Sequence, residues 1–225
     1  MKLKRLVTVC ASTLMITMGA QEAMATDSFT PAQTKAIQQI IHDYLVNSPE
    51  VLIEASQNLQ KKQQNALVER VQAAVVANAS QLFTKNMTTV GNLKGNVTVV
   101  EFFDYQCIHC KKMAPVMSEL IKNDANLRVI YVEFPIFGKS SEMAAKAALA
   151  AAMQGKYQAM HDSLLSQEQS LTVDIVNNVA KSIGLDMKKF DTDMQSKTVS
   201  AQLDTNRKLA EKLQLMGTPA FIVAS

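Results

Sequence analysis

The chain has 225 residues, 48% of them hydrophobic, with 23 basic and 20 acidic side chains and a formal net charge of +3. That supplies a folded core but no excess charge for nucleic acid. No Walker loop, GxGxxG fingerprint or aromatic-interleaved basic stripe is present, so nucleic-acid partners and nucleotide cofactors are not expected.

The first 25 residues read as a secretory signal peptide. Lys2, Lys4 and Arg5 precede an uncharged stretch from Leu6 to Ala20, and Ala23-Met24-Ala25 supplies an A-x-A site, so cleavage is expected between Ala25 and Thr26. The stretch is too short, and too rich in Thr, Ser and Gly, to span a bilayer; an uncleaved anchor is the alternative. Val9 is too large to precede a lipoprotein cleavage site, so Cys10 is expected to be discarded with the leader. The remaining chain carries 20 basic and 19 acidic residues and only two cysteines, Cys107 and Cys110. One closely spaced pair in an exported chain is a reagent rather than a staple, since a stapled scaffold carries several pairs. The expected location is the periplasm, with the outer membrane or cell surface as a second destination.

Residues 26–86 form a predicted helical arm. Thr30-Pro31 is a cap followed by proline at the first helical position, and Ile37, Ile40, Ile41, Tyr44 and Leu45 trace an i, i+3, i+4, i+7, i+8 stripe. Asn47-Ser48-Pro49 breaks that helix and starts another, with one seam at Leu52, Ala55 and Leu59 and a second at Leu67, Val71, Val75 and Leu82. Stripes this narrow leave the arm little core of its own. It is expected to pack on a second copy, a dimer before a trimer, or else to fold back on the rest of the chain.

From residue 87 the pattern becomes α/β (α+β). Gly91 and Gly95 flank a turn, and Val97–Phe103 is a β-branched and aromatic run suited to a buried strand. A helix is expected from Cys107 to about Lys122, kinked at Pro115, and a second strand over Leu127–Phe134, closed by Pro135 and Gly138. Together these make a βαβ unit with a parallel pair. An almost wholly helical insertion follows at about 139–216, including Glu142–Met153, Thr172–Ile183 and Val199–Leu215, and a third strand begins at Ala220 after Gly217-Thr218-Pro219. A further strand and helix are expected beyond Ser225. His42 and His161 are expected half-exposed on helices, and Met113, Met117, Met153 and Met160 in core.

Cys107-Ile108-His109-Cys110 lies between the first strand and its helix. Thiols three positions apart then share a helix's first turn, where unpaired N–H groups and the macrodipole favour a thiolate. Such CxxC thiols ionise at pKa values down to roughly 3.5–7.5.

Placed between those elements, Val100-Glu101-Phe102-Phe103-Asp104-Tyr105-Gln106-Cys107-Ile108-His109-Cys110, with Phe134-Pro135-Ile136-Phe137-Gly138 and Thr218-Pro219, resembles the DsbA-type thiol:disulfide oxidoreductases of the thioredoxin superfamily. The resemblance covers about Thr88 to Ser225, and the arm is similar to that of dimeric or trimeric members. It implies a thioredoxin-like fold with a helical insertion. It also implies thiol–disulfide exchange on exported proteins, and a membrane redox partner that recycles the pair. No bound cofactor or metal is implied. By position, Cys107 is the exposed nucleophile and Cys110 the buried resolving thiol. His109 favours the Cys107 thiolate, Glu101 accepts a proton from the buried cysteine through water, and Pro219 is a cis-proline presenting Thr218 to substrate.

Blander readings stand beside these: an inert disulfide, a solvated His109, an edge-strand Glu101 facing water, an ordinary trans Pro219. Ile-His between the cysteines and Thr before the proline, in place of the Pro-His of familiar oxidases, leave oxidation, reduction and isomerisation all open. A Cu(I) or Zn(II) site on Cys107, His109 and Cys110, and a surface interaction protein with a non-catalytic CxxC, are the alternatives.

Overall fold

The computed structural model describes residues 29–84 and 88–225; the expected leader and Cys10 lie outside the described residues. The chain divides into two compact units, Met1–Gln60 and Lys61–Ser225.

In the first unit, helix α1 (Pro31–Asn47) begins at the expected cap. The Thr30 hydroxyl accepts the Gln33 N–H at 3.3 Å and the Gln33 side chain accepts the Thr30 N–H at 2.9 Å, a reciprocal capping box. Pro49 then opens α2 (Glu50–Ala77), whose residues from Lys61 on belong to the second unit. Neither helix contains a buried residue, and Ile40, Ile41, Tyr44, Leu52 and Leu59 of the predicted stripes are exposed.

In the second unit, α3 (Ala79–Leu82) is followed by β1 (Thr88–Gly91), β2 (Val97–Phe103), α4 (Ile108–Asn123) and β3 (Leu127–Glu133). The helical insertion comprises α5 (Lys139–Ala152), α6 (Tyr157–Leu165), α7 (Val173–Ser182), α8 (Met187–Met194) and α9 (Lys197–Lys212), and the chain returns through β4 (Ala220–Ala224). The sheet order is β1-β3-β2-β4. β2 and β3 are parallel around the α4 crossover, with Glu101 opposite Tyr131 and Phe103 opposite Glu133, while β1 and β4 pair antiparallel at the edges. The short β1 is not marked in the sequence, because four residues fall below the length at which alternation can be read. Gly91 ends it at φ +76°, where a Cβ would stand 2.6 Å from the Leu127 carbonyl oxygen.

Strand alternation divides the interior. Val99 and Phe103 of β2 and Val129 and Tyr131 of β3 belong to a core that contains both cysteines and residues of α5, α6 and α7. Val100, Phe102, Ile130 and Val132 face the other way, onto Leu209 of α9 and Leu213 that caps its end, Ile222 of β4 and Leu82. Leu82, placed in the arm by the sequence, is completely buried in that second core. The alanines of α5 let it approach α6, α8 and α9 closely. Helices α7, α8 and α9 start on Thr172, Asp186 and Ser196, each accepting an N–H three residues on.

Two expectations fail. His161 is not at the surface but 2% exposed, packed among Phe103, Tyr105, Tyr131 and Tyr157; three of those neighbours come from other elements, so its helix alone gives no sign of them. Met160 and Met117 are core residues, whereas Met153 at the end of α5 is exposed.

Candidate functional site

Cys107 is the N-cap of α4, with extended backbone at φ −72° and ψ 117°. The Asp104 carbonyl accepts its N–H at 3.1 Å, and its own carbonyl accepts the Lys111 N–H at 3.0 Å. The Cys107 thiol donates to the Thr218 carbonyl at 3.2 Å, and the Thr218–Pro219 peptide bond is cis. The sequence therefore brings residues 111 positions apart to one sulfur. Both cysteines are free thiols, and here the expectation of an exposed Cys107 is corrected: it is 3% exposed and Cys110 1%, because the loop carrying Thr218 lies over the first turn of α4.

The two thiols differ in what surrounds the sulfur. Burial pushes the Cys107 thiol up, but hydrogen bonding from the Thr218 side chain, from the Cys110 backbone and thiol, and from the His109 backbone brings it below the ordinary thiol value. The buried Thr218 hydroxyl makes no geometrically good hydrogen bond elsewhere, which leaves it free to donate to the Cys107 sulfur when that sulfur ionises. Cys110 is dominated by burial, which pushes it up to about 12 against the hydrogen bond of the Asp104 backbone N–H. His109 is exposed, and it is its backbone that reaches Cys107.

Glu101 is not on an edge strand. It lies on central β2 between Val99 and Phe103, on the face that holds the dithiol, is 4% exposed, and burial raises its pKa to about 7. A raised pKa means that the folded state binds the proton more tightly than the unfolded chain, so stability is full below the unfolded value and falls as pH rises through about 7. Glu101→Gln is expected to melt near the wild type at pH 4 and to be more stable at pH 8, by about 3 kcal/mol for a shift of this size. Thermal unfolding at the two pH values checks this; equal differences at both would refute it.

The sequence reading missed a second set of buried polar groups. Glu133 at the end of β3 accepts the Tyr157 hydroxyl at 2.7 Å, its other oxygen has no partner, and burial pushes its pKa up to about 8. The rule that flagged Glu101, a carboxylate within a β-branched and aromatic strand, applies equally to Glu133. Beside it the Tyr105 hydroxyl pairs with Nδ1 of His161 at 3.2 Å, and burial holds that histidine neutral, down to about 3. Asp104, just before Tyr105, is also buried and fully hydrogen-bonded. Lys111 follows Cys110 and ties α4 to the insertion by donating to the Gln167 carbonyl at 2.7 Å. Alongside runs an open groove of about 550 Å³ lined by Ile108, Lys112, Pro115 and Leu165. Among the described residues no group of three or more His, Cys, Asp or Glu side chains is placed to hold a metal ion.

The DSBA-like thioredoxin domain matches residues 98–225, which takes in β2, both cysteines, the insertion and the cis-proline strand. The chain belongs to the DSBA-like thioredoxin family. The N-terminal domain of the copper resistance protein ScsC matches residues 33–66 of the arm. The crystal structure of BcfH from Salmonella enterica Typhimurium is 32% identical, covers 85% of this chain and 83% of its own, and superposes with a TM-score of 0.72. A thioredoxin-like oxidoreductase from Silicibacter pomeroyi DSS-3 is 41% identical over 64% of this chain and 84% of that one, with a TM-score of 0.62. The chain also matches the Na(+)/H(+) antiporter NhaA 3 of Salinispora tropica, 30% identical over 135 residues, 59% of this chain but only 21% of the antiporter. It therefore spans about a fifth of the length of that curated relative.

Proposed function

We propose that this protein is an exported thiol:disulfide oxidoreductase acting on other proteins through Cys107 and Cys110. The observation that carries this reading is the asymmetric dithiol: one sulfur at a helix start surrounded by donors, the other buried one turn in. In the reducing direction the Cys107 thiolate attacks a client disulfide, forming a Cys107–client bond and releasing one client thiolate. Cys110 then loses its proton and attacks the Cys107 sulfur. This forms the Cys107–Cys110 disulfide and expels the second client thiolate, so two electrons pass to the client. Oxidation of a client dithiol is the reverse. Glu101, titrating near neutrality on the same face, is the group we assign to take the Cys110 proton.

Clients dock, in this reading, along the backbone at Thr218 and Pro219 as an added extended segment. Exposed apolar side chains near the sulfur, Ile108, Phe137 and Met216, favour partly unfolded chains as clients. Export rests on the leader pattern of residues 1–25, and among the described residues no helix is long and apolar enough to cross a membrane. A periplasmic location then calls for a membrane redox partner to recycle the pair. The uncovered stripe of α1 and the first seam of α2, together with the ScsC-like match, support a homo-oligomer built through the arm.

Cys110→Ser should trap mixed disulfides between Cys107 and its clients, because the resolving thiol is gone, whereas Cys107→Ser should trap few. Non-reducing gels of periplasmic extracts read this out. The same adduct ladder from both variants would show the roles to be wrongly assigned.

A further inference from the structure

Asp104 precedes Cys107 by three residues, is 1% exposed, and has two carboxylate oxygens that meet four donors. Oδ1 accepts the Gln106 N–H at 2.6 Å and the Ser141 hydroxyl at 2.7 Å; Oδ2 accepts the N–H groups of Ile136 at 2.7 Å and Phe137 at 3.1 Å. Four donors fill the acceptor capacity of a carboxylate. The main chain of the same residue is committed to the dithiol on both sides: its carbonyl accepts the Cys107 N–H at 3.1 Å and its N–H bonds to the Cys110 sulfur.

We propose that Asp104 is the positioning residue of the dithiol, holding the 104–107 turn so that Cys107 caps α4 while Cys110 stays beneath it. The inference rests on the redox reading of the pair. Its bonds fall into two sets. The bond to Gln106, two residues on, is an Asx turn that shapes the approach to Cys107. Those to Ile136, Phe137 and Ser141 anchor that turn to the segment opening the helical insertion. The turn before the nucleophile is thus shaped by its own Asx bond, and the other three bonds tie it to the insertion.

Asp104→Asn separates positioning from charge. An amide has one oxygen, and placing it at Oδ2 keeps the Ile136 and Phe137 bonds. The NH₂ then faces the Gln106 N–H, while Ser141 can rotate to accept. The variant therefore frees the turn at Gln106 and leaves the anchor. Loss of the carboxylate's charge would by itself make Cys107 more acidic, and loss of the geometry less so, so the sign decides between them.

The test is to titrate the Cys107 thiolate by its ultraviolet absorbance and to equilibrate each protein with glutathione, with melting temperatures confirming that the variants fold. For Asp104→Asn we expect Cys107 to ionise at higher pH and the equilibrium to move about tenfold towards the disulfide, about 30 mV more reducing. Ser141→Ala, which leaves the Gln106 bond in place, should move neither quantity appreciably. An unchanged or more acidic Cys107 in Asp104→Asn, or equal shifts in the two variants, overturns the proposal. Should Asp104→Asn not fold, hydrogen exchange in the wild type decides. The Gln106 amide should be as protected as the β2 amides, and rapid exchange there overturns the assignment. A wild-type pair that does not equilibrate with glutathione at all removes the redox reading, and this inference with it; exchange in the wild type without a shift in the variant removes only the role of Asp104.

Discussion

Iodoacetamide at pH 7 should modify Cys107 at least about thirty times faster than Cys110, a thousandfold advantage in thiolate fraction less the lower nucleophilicity of the more acidic sulfur. A thiol pushed up to about 12 is ionised to roughly one part in 10⁵ at pH 7, whereas one lowered from 9.0 exceeds about one part in a hundred. The sign follows from thiolate being the reactive form. The Cys107 rate rises with pH only until that sulfur is fully ionised and then levels off. The Cys110 rate keeps rising about tenfold per pH unit towards 12. Cover over both sulfurs slows each absolute rate, and slows the more buried Cys110 more, so it widens the ratio. Peptide mapping after alkylation across pH gives the two profiles. Equal rates, or a Cys107 profile that levels off only above the unperturbed ~8.5, would contradict the assignment.

Removing residues 30–60 should yield a monomer that keeps its reduction potential, oxidises simple dithiols as before, and loses isomerisation of scrambled proteins by roughly tenfold or more. Isomerisation profits from two sites held over one client, because the second encounter is then effectively intramolecular, and linked sites gain about 10²–10⁴ in avidity. The sequence alone would place the cut near Phe83. Leu82, however, is fully buried against Val100, Phe102 and Leu213, so a cut there opens a cavity in the catalytic unit, whereas one after Gln60 leaves that unit whole. Light scattering of the mature protein is the first measurement. A full-length monomer at micromolar concentration would end the proposal, and a truncated form that stays oligomeric would place the interface elsewhere.

The central frame was legible because its strands are buried on both faces. Val97–Phe103 and Leu127–Glu133 read as runs dominated by β-branched and aromatic residues, bounded by glycine and proline, with a helix of the right length between them. The arm was legible for a different reason, its caps and breakers: Thr30-Pro31 and Ser48-Pro49 fall where α1 and α2 begin. What remained hidden depends on contacts between distant segments. The surroundings of His161 come from β3 and from the turn at Tyr105 as well as from α6, so its burial cannot be read from helical periodicity. Asp104 shows in sequence only as a polar residue ending a strand; three of its four donors lie more than thirty positions away. The environment of Cys107 is hidden in the same way, since the Thr218 carbonyl that contacts it belongs to the far end of the chain.

In the docking mode proposed above, that carbonyl links client capture to acidity. While Cys107 carries its proton, the Thr218 oxygen is occupied by the S–H at 3.2 Å. Ionisation removes the donor and sets a lone pair against a thiolate. A client amide N–H arriving at that oxygen restores the missing donor and eases the repulsion. By thermodynamic reciprocity, a docked client then makes the nucleophile more acidic by the same factor by which the thiolate tightens docking. Once the client has left and the proton has returned, the S–H again occupies the docking carbonyl, so the resting dithiol competes with its own substrate for that oxygen.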